Sequence, residues 1–292
     1  MSRWFPDTLH LLLGGSEPAP AAAGVLGGAQ TAQESDRSGT GTATPRTSRL
    51  ERQLTAFAAQ LDATAPAPGT RLVCWLGSDV ARLLVVPWQD GLTRASQRAL
   101  LAQHCFREVF GSTAGGWQRR LSETGYGRPA LAGAVDGWVL ERIDELARVR
   151  KLKLASVQPL LMTAYNRALP ELRARGDVWF VLSEPPWLTL LLVQAGAPLA
   201  VKLVHAGDAE LGRLLEREWR TLGREGPRCE VLMVRCGTQR DAAPGASLAR
   251  DLSDFGFKLT ALDPLIDDSV TDTMANAAAP SAPPLQALKV VA

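Results

Sequence analysis

The chain has few of the residues from which metal and redox sites are built: 4 cysteines and 3 histidines in 292 residues. Cys74, Cys105, Cys229 and Cys236 form no CxxC pair, whereas a structural zinc needs four thiolate or imidazole ligands, usually in close pairs. His104-Cys105 is the one adjacent pair and falls inside a helical pattern, so it reads as incidental. Cys74 lies in an apolar strand pattern and reads as a small buried hydrophobe. The set reads as the reduced thiols of a cytosolic protein. An excess of one charge is also lacking, with 32 basic residues against 30 acidic and no basic cluster along the sequence. That balance predicts no long-range pull toward nucleic acid or anionic lipid. Long apolar runs are missing too. Residues 187–193 are strand-length, far short of the ~20 residues of a spanning helix. The start, with Trp4-Phe-Pro-Asp7 after a single Arg, does not read as a signal peptide. The expectation is a cytoplasmic protein without direct membrane insertion. No P-loop, GxGxxG or GxSxG motif occurs.

What is present suits a globular α/β protein, with 46% hydrophobic and 21% charged residues. Residues 8–13 read as a strand ending in Gly14-Gly15, and residues 21–26 as a second strand. Residues 27–47, rich in Gly, Ala, Ser and Thr, read as a flexible loop. A helix follows, carrying Leu50, Leu54, Phe57 and Leu61 on one face. Residues 71–76 and 80–86 read as a β-hairpin about Gly77-Ser78-Asp79. Residues 93–110 form an amphipathic helix, followed by strands at 117–122 and 130–135. Asp136 reads as the N-cap of the next helix, and a strand at 152–157 leads through Pro159 into another, which Pro170 kinks or ends. Three strands come in quick succession at 178–182, 187–193 and 199–204. Asp208 then caps a helix, and strand, short helix and strand complete the order, with a flexible tail from 267 to 292. The meander-helix-strand-helix-strand unit is clear from Val178 and weaker from Thr8, so two lobes around a cleft are expected. The first lobe would cover 1–175 with an inserted hairpin-helix subdomain, and the second 176–266.

Several stretches resemble the PilM pilus assembly proteins and the cytoplasmic part of the GspL secretion proteins. These are Val85-Val86-Pro87-Trp88 at a strand end, Phe110-Gly111 at a helix end, Leu131-Ala-Gly-Ala-Val-Asp136 entering a helix, Ser156-Val-Gln-Pro159 before the next, and Trp4-Phe-Pro-Asp7 before the first strand. The resemblance spans roughly residues 4–225. It implies a degenerate actin-like (ribonuclease H-like) ATPase fold, with mixed sheets flanked by helices in two lobes. It also implies a scaffold of a type IV pilus or type II secretion machine. That scaffold would be peripheral at the inner membrane, holding a short cytoplasmic segment of a bitopic membrane protein or contacting the assembly ATPase. Without a transmembrane helix and periplasmic part of the GspL kind in this sequence, the expectation is an architecture closer to PilM or to a split GspL.

Actin-like ATPases grip phosphates with two hairpin turns that supply Asp, for hydrated magnesium, and Gly, for close approach of N–H donors. Here the first turn, Leu13-Gly14-Gly15-Ser16, keeps Gly and lacks Asp. The second, Leu182-Ser183-Glu184-Pro185-Pro186, has neither, and its prolines remove two N–H donors. ATP is therefore not expected as a cofactor, and the protein is expected not to be an enzyme. The alternative is a nucleotide-binding actin-like ATPase with an altered site; a phage or mobile-element structural protein with a borrowed fold also stays open. Glu184 reads as an acid of an exposed turn, with a site role as the lesser reading. Glu218 lies on the apolar stripe of its helix. The resemblance suggests that a Glu there meets the nucleoside, but pairing with Arg217, Arg220 or another base is the plainer reading. His205 reads as a surface histidine. Trp88, just past a strand and Pro87, is a candidate partner anchor.

Overall fold

A computed structural model describes residues 8–14, 45–122, 124–224, 228–236 and 246–263. The first sheet is parallel, in the order β1-β2-β6: β1 (Thr8–Leu13), β2 (Arg71–Leu76) and β6 (Lys153–Pro159). Apolar residues on one face meet α1 (Pro45–Thr64) and α3 (Gly137–Val149). Leu11, Leu13, Leu72, Cys74 and Leu76 pack there with Leu50, Leu54, Phe57, Leu61, Val139 and Ile143. Burial raises the Cys74 thiol to about 12, so it packs as an inert hydrophobe. Asp136 caps α3, accepting the Trp138 N–H at 3.4 Å.

The second sheet has the order β11-β10-β7-β8-β9. Strands β7 (Asp177–Glu184), β8 (Trp187–Gln194) and β9 (Ala197–His205) form an antiparallel meander. Strands β10 (Glu230–Arg235) and β11 (Lys258–Ala261) run parallel to β7. The central strands are buried on both faces, hence their nearly continuous apolar runs. Val178, Phe180 and Leu182 meet α4 (Leu160–Arg173), whose Leu161, Ala164 and Leu172 also reach Trp75 of the first sheet. Trp179 and Val181 face α5 (Leu211–Thr221) and α6 (Ala246–Asp254). The two sheets repeat one pattern: β1, α1, β2, α3, β6 against β7, α5, β10, α6, β11.

A third, antiparallel sheet, β3-β5-β4, interrupts the first unit between β2 and α3. Its strands are β3 (Arg82–Val86), β4 (Trp117–Leu121) and β5 (Ala130–Asp136), covered by α2 (Ala95–Phe110). Leu84, Val86, Ala102, Phe106, Ala132 and Ala134 form a small core of its own.

The structure corrects four sequence expectations. β2 and β3 are not a hairpin: they lie in different sheets, because the Val80 and Ala81 N–H groups both turn back on the Gly77 carbonyl in a helical turn. Pro170 neither ends nor breaks α4, which runs on to Arg173. Pro170 is exposed in the final turn, where only one backbone bond is forfeited. Asp208 does not cap α5: Glu210 stands at that position without a side-chain bond, and the Asp208 carboxylate is engaged elsewhere. Residues 45–47, assigned to the flexible loop, are the first of α1. The remainder of that loop, the strand at 21–26 and the tail lie outside the described residues.

Candidate functional site

The carboxyl ends of parallel strands in an α/β sheet form the crevice where ligands bind. Here those ends bring together Gly14 after β1, Gly77-Ser78-Asp79 after β2, Ser183 and Glu184 at the end of β7, and Arg235 at the end of β10. The packing is close. Gly14 has φ +112°, and an added Cβ would strike the Asp79 carboxylate and Val80. An added Cβ on Gly77 would lie 2.9 Å from Asp79 Oδ1 and 3.2 Å from Glu184 Oε1. Glycine is required at 14 by its φ and contacts, and a Cβ at 77 would push both carboxylates aside. Gly15, the other glycine of the first turn, lies outside the described residues.

Several donors at this seam already have an acceptor from the same chain. The Gly14 N–H donates to Gln53 Oε1 of α1 at 3.1 Å, and Gln53 Nε2 returns a bond to the Gly14 carbonyl at 3.3 Å. The Ser78 N–H donates to Glu184 Oε1 at 3.1 Å, and the Ser78 hydroxyl donates to Glu184 Oε2. Thr189 Oγ1 donates to Ser78 Oγ at 2.8 Å. Arg49 pairs with Asp79. Ser183 Oγ and Arg235 Nη2 both donate to Asp208, at 2.8 and 2.6 Å.

The Glu184 carboxyl therefore sits where a backbone N–H and a hydroxyl converge, which is the environment a phosphate oxygen would take. It is buried, not in the exposed turn expected from the sequence: the strand carries it inward, and the turn that reaches solvent begins at Pro185. Burial raises its pKa to about 7, against the two Ser78 hydrogen bonds, which pull it down. The neighbouring Cys236 thiol is pushed to about 12, by burial first and by the Glu184 charge second. Asp79, Glu184 and Asp208 together place three carboxylates at the seam, so an incoming phosphate would have to displace one and face the others. Among the described residues no group of three or more His, Cys, Asp or Glu could hold a metal ion.

Sequence reasoning found Gly14, Ser183 and Glu184 and missed Ser78, Asp79, Arg49, Gln53, Asp208 and Arg235 as members of the seam. Gly77-Ser78-Asp79 was readable as a strand end with donors and an acid; the hairpin reading hid it. Glu218 is buried on α5 and accepts from Lys202 Nζ at 2.7 Å and Arg217 Nε at 3.1 Å. Arg220 goes instead to Glu216, which also holds Arg228. His205 is exposed, edge-on to Trp187. Trp88 lies away from the seam, on the third sheet, and lines a small pocket with Arg98 and Arg128. Glu218→Ala should cost about 1 kcal/mol or less in urea denaturation, because Lys202 and Arg217 are half exposed and recover water. Glu216→Ala should cost about 3 kcal/mol, because Arg228 is largely covered. Equal costs would sink this assignment.

No family model matches the sequence, and no curated protein matches it significantly. Solved structures do match in geometry. One is a protein of actin-like ATPase fold and unknown function from Bacteroides thetaiotaomicron, at 11% identity over 73% of this chain and 76% of that one, TM-score 0.50. Another is a chain of the PilM–PilN type IV pilus biogenesis complex, at 13% identity over 76% of this chain and 81% of that one, TM-score 0.53. The cytoplasmic domain of EpsL, an inner-membrane component of the Vibrio cholerae type II secretion system, aligns at 12% identity over 76% of this chain and 78% of that one, TM-score 0.44. The chain has the actin-like ATPase fold, as the sequence resemblance implied.

Proposed function

We propose that the protein is a non-catalytic scaffold of a bacterial type IV pilus or type II secretion assembly platform. It acts in the cytoplasm, peripheral to the inner membrane, and binds the short cytoplasmic segment of a bitopic inner-membrane protein, with the assembly ATPase as a second partner. The observation that carries this reading is the Glu184 carboxylate seated on the Ser78 N–H and hydroxyl, so that the fold's phosphate crevice is filled by its own acid. Support for the machine comes from the PilM–PilN likeness in fold. Among the described residues no helix is long and apolar enough to cross a membrane, consistent with attachment through partners.

The competing reading, an actin-like ATPase with an altered site, requires Glu184 to leave Ser78 and Gln53 to release Gly14 on nucleotide binding. Titration calorimetry with ATP and magnesium separates the two. The expected result is no measurable heat of nucleotide binding. Micromolar binding would overturn the scaffold reading. Co-purification with a bitopic partner, abolished when its cytoplasmic tail is removed, is the positive counterpart.

A further inference from the structure

The charge of this chain is balanced overall and unbalanced in space. Residues 82–136, which build the third sheet and α2, contain seven arginines and four carboxylates (Asp90, Glu108, Glu123 and Asp136). That is a net +3 in one small unit of a chain whose total is +2. Two of these arginines converge with aromatic residues. Arg98 stacks over the Trp88 ring at 5.6 Å and donates to Thr124 Oγ1 at 3.0 Å. Tyr126 meets the edge of Trp88 at 4.7 Å and is 77% exposed. Arg98 and Arg128 line the pocket whose floor is Val86, Pro87, Leu92 and Leu101. Leu100, 66% exposed, lies beside Leu101 on α2. Neither Arg98 nor Arg128 is held in an ion pair among the described residues.

From this charge complementarity we infer that the face of Trp88, Arg98, Tyr126 and Arg128 is the docking surface for a short acidic segment of a partner protein carrying one leucine or aromatic anchor. The inference rests on the scaffold reading and gives it a location. The two guanidinium groups take the carboxylates, and the exposed Tyr126 ring takes the anchor. A nucleic acid fits less well. One face of the Trp88 ring is capped by Arg98 and its Nε1 is bonded to Asp90 Oδ1 at 2.9 Å, so it offers little room for base stacking.

The test is panning of a displayed library of random 12-residue peptides on the full chain and on an Arg98→Ala/Arg128→Ala double variant. Both side chains reach solvent, and circular dichroism checks the fold; Tyr126→Ala, at a highly exposed residue, serves as a second variant. The expected selectants carry an excess of Asp and Glu around one Leu, Phe or Trp. They should bind the double variant at least 10-fold more weakly, and lose affinity as salt rises. Neutral or basic selectants, none at all, or equal binding to the variants would overturn the inference. So would tighter binding of a 20-nucleotide single strand or of phosphatidylserine vesicles through the same two arginines. The calorimetric result with ATP is independent of these residues, so a failed patch with no ATP binding sinks this inference alone.

Discussion

Glu184→Gln should make the protein more stable above neutral pH and leave it unchanged in acid. The folded carboxyl titrates at about 7, the free one at 4.5, and burial is the main cause. The raised value means that the folded state favours the protonated form. The stability this proton contributes is fully present below 4.5, is lost between 4.5 and 7, and is absent above 7. A gap of that size corresponds to about 3 kcal/mol. Glutamine is neutral throughout, its oxygen can accept the Ser78 N–H, and its amide can donate to Ser78 Oγ. Urea denaturation at pH 8 should therefore show the variant more stable by up to about 3 kcal/mol, and at pH 4 equal to the parent. The nearby thiol does not mimic this. Cys236 stays a neutral thiol in that range. The same pH dependence in both proteins would remove Glu184 as its source. The same variant joins stability to function, because Glu184 and Ser78 tie the second sheet to the first across the crevice.

A second large effect is expected from Phe106→Ala, at about 3–5 kcal/mol. Phe106 is fully buried in the small core under α2, ringed by Leu84, Val86, Ala102, Ala132 and Ala134. Its ring lies 5.9 Å from Phe110 and 6.3 Å from Trp117. The loss should be local. Hydrogen exchange and limited proteolysis should show opening confined to residues 82–136, while the Glu184–Ser78 contact and the crevice persist. The acidic-peptide surface should go with it, since Arg98 is on α2 and Trp88 follows β3, the elements that core joins. A cost under 1 kcal/mol, or opening spread over the whole chain, would show that the third sheet does not stand on its own core.

Much of the fold was legible. The meander and the β7–β11 order follow from three close apolar runs and the helical patterns after them, because a strand buried on both faces must be apolar throughout and its turns must be polar or glycine-rich. Asp136 was legible as a cap because its bond is to a backbone group two residues on. The pairing of β2 was not, because β2 and β3 are neighbours in sequence and strangers in space, and the helical turn at Gly77 that parts them leaves no periodic trace. Asp208 failed as a cap because a partner from another strand, Arg235, took its carboxylate.

By itself the sequence determined the element types, the repeated unit from Val178, the absence of Asp at 13–16 and 182–186, and the two prolines after Glu184. These are local properties, set by residue type and spacing. The tertiary structure alone decided that Glu184 is buried, that it seats on Ser78 106 positions away, and that Arg98 and Arg128 meet at Trp88 in a chain with no basic run. The reason is physical. A carboxyl's burial, its proton affinity and its partner depend on which strand ends converge, and strand order in a sheet is a long-range property that no window of sequence contains.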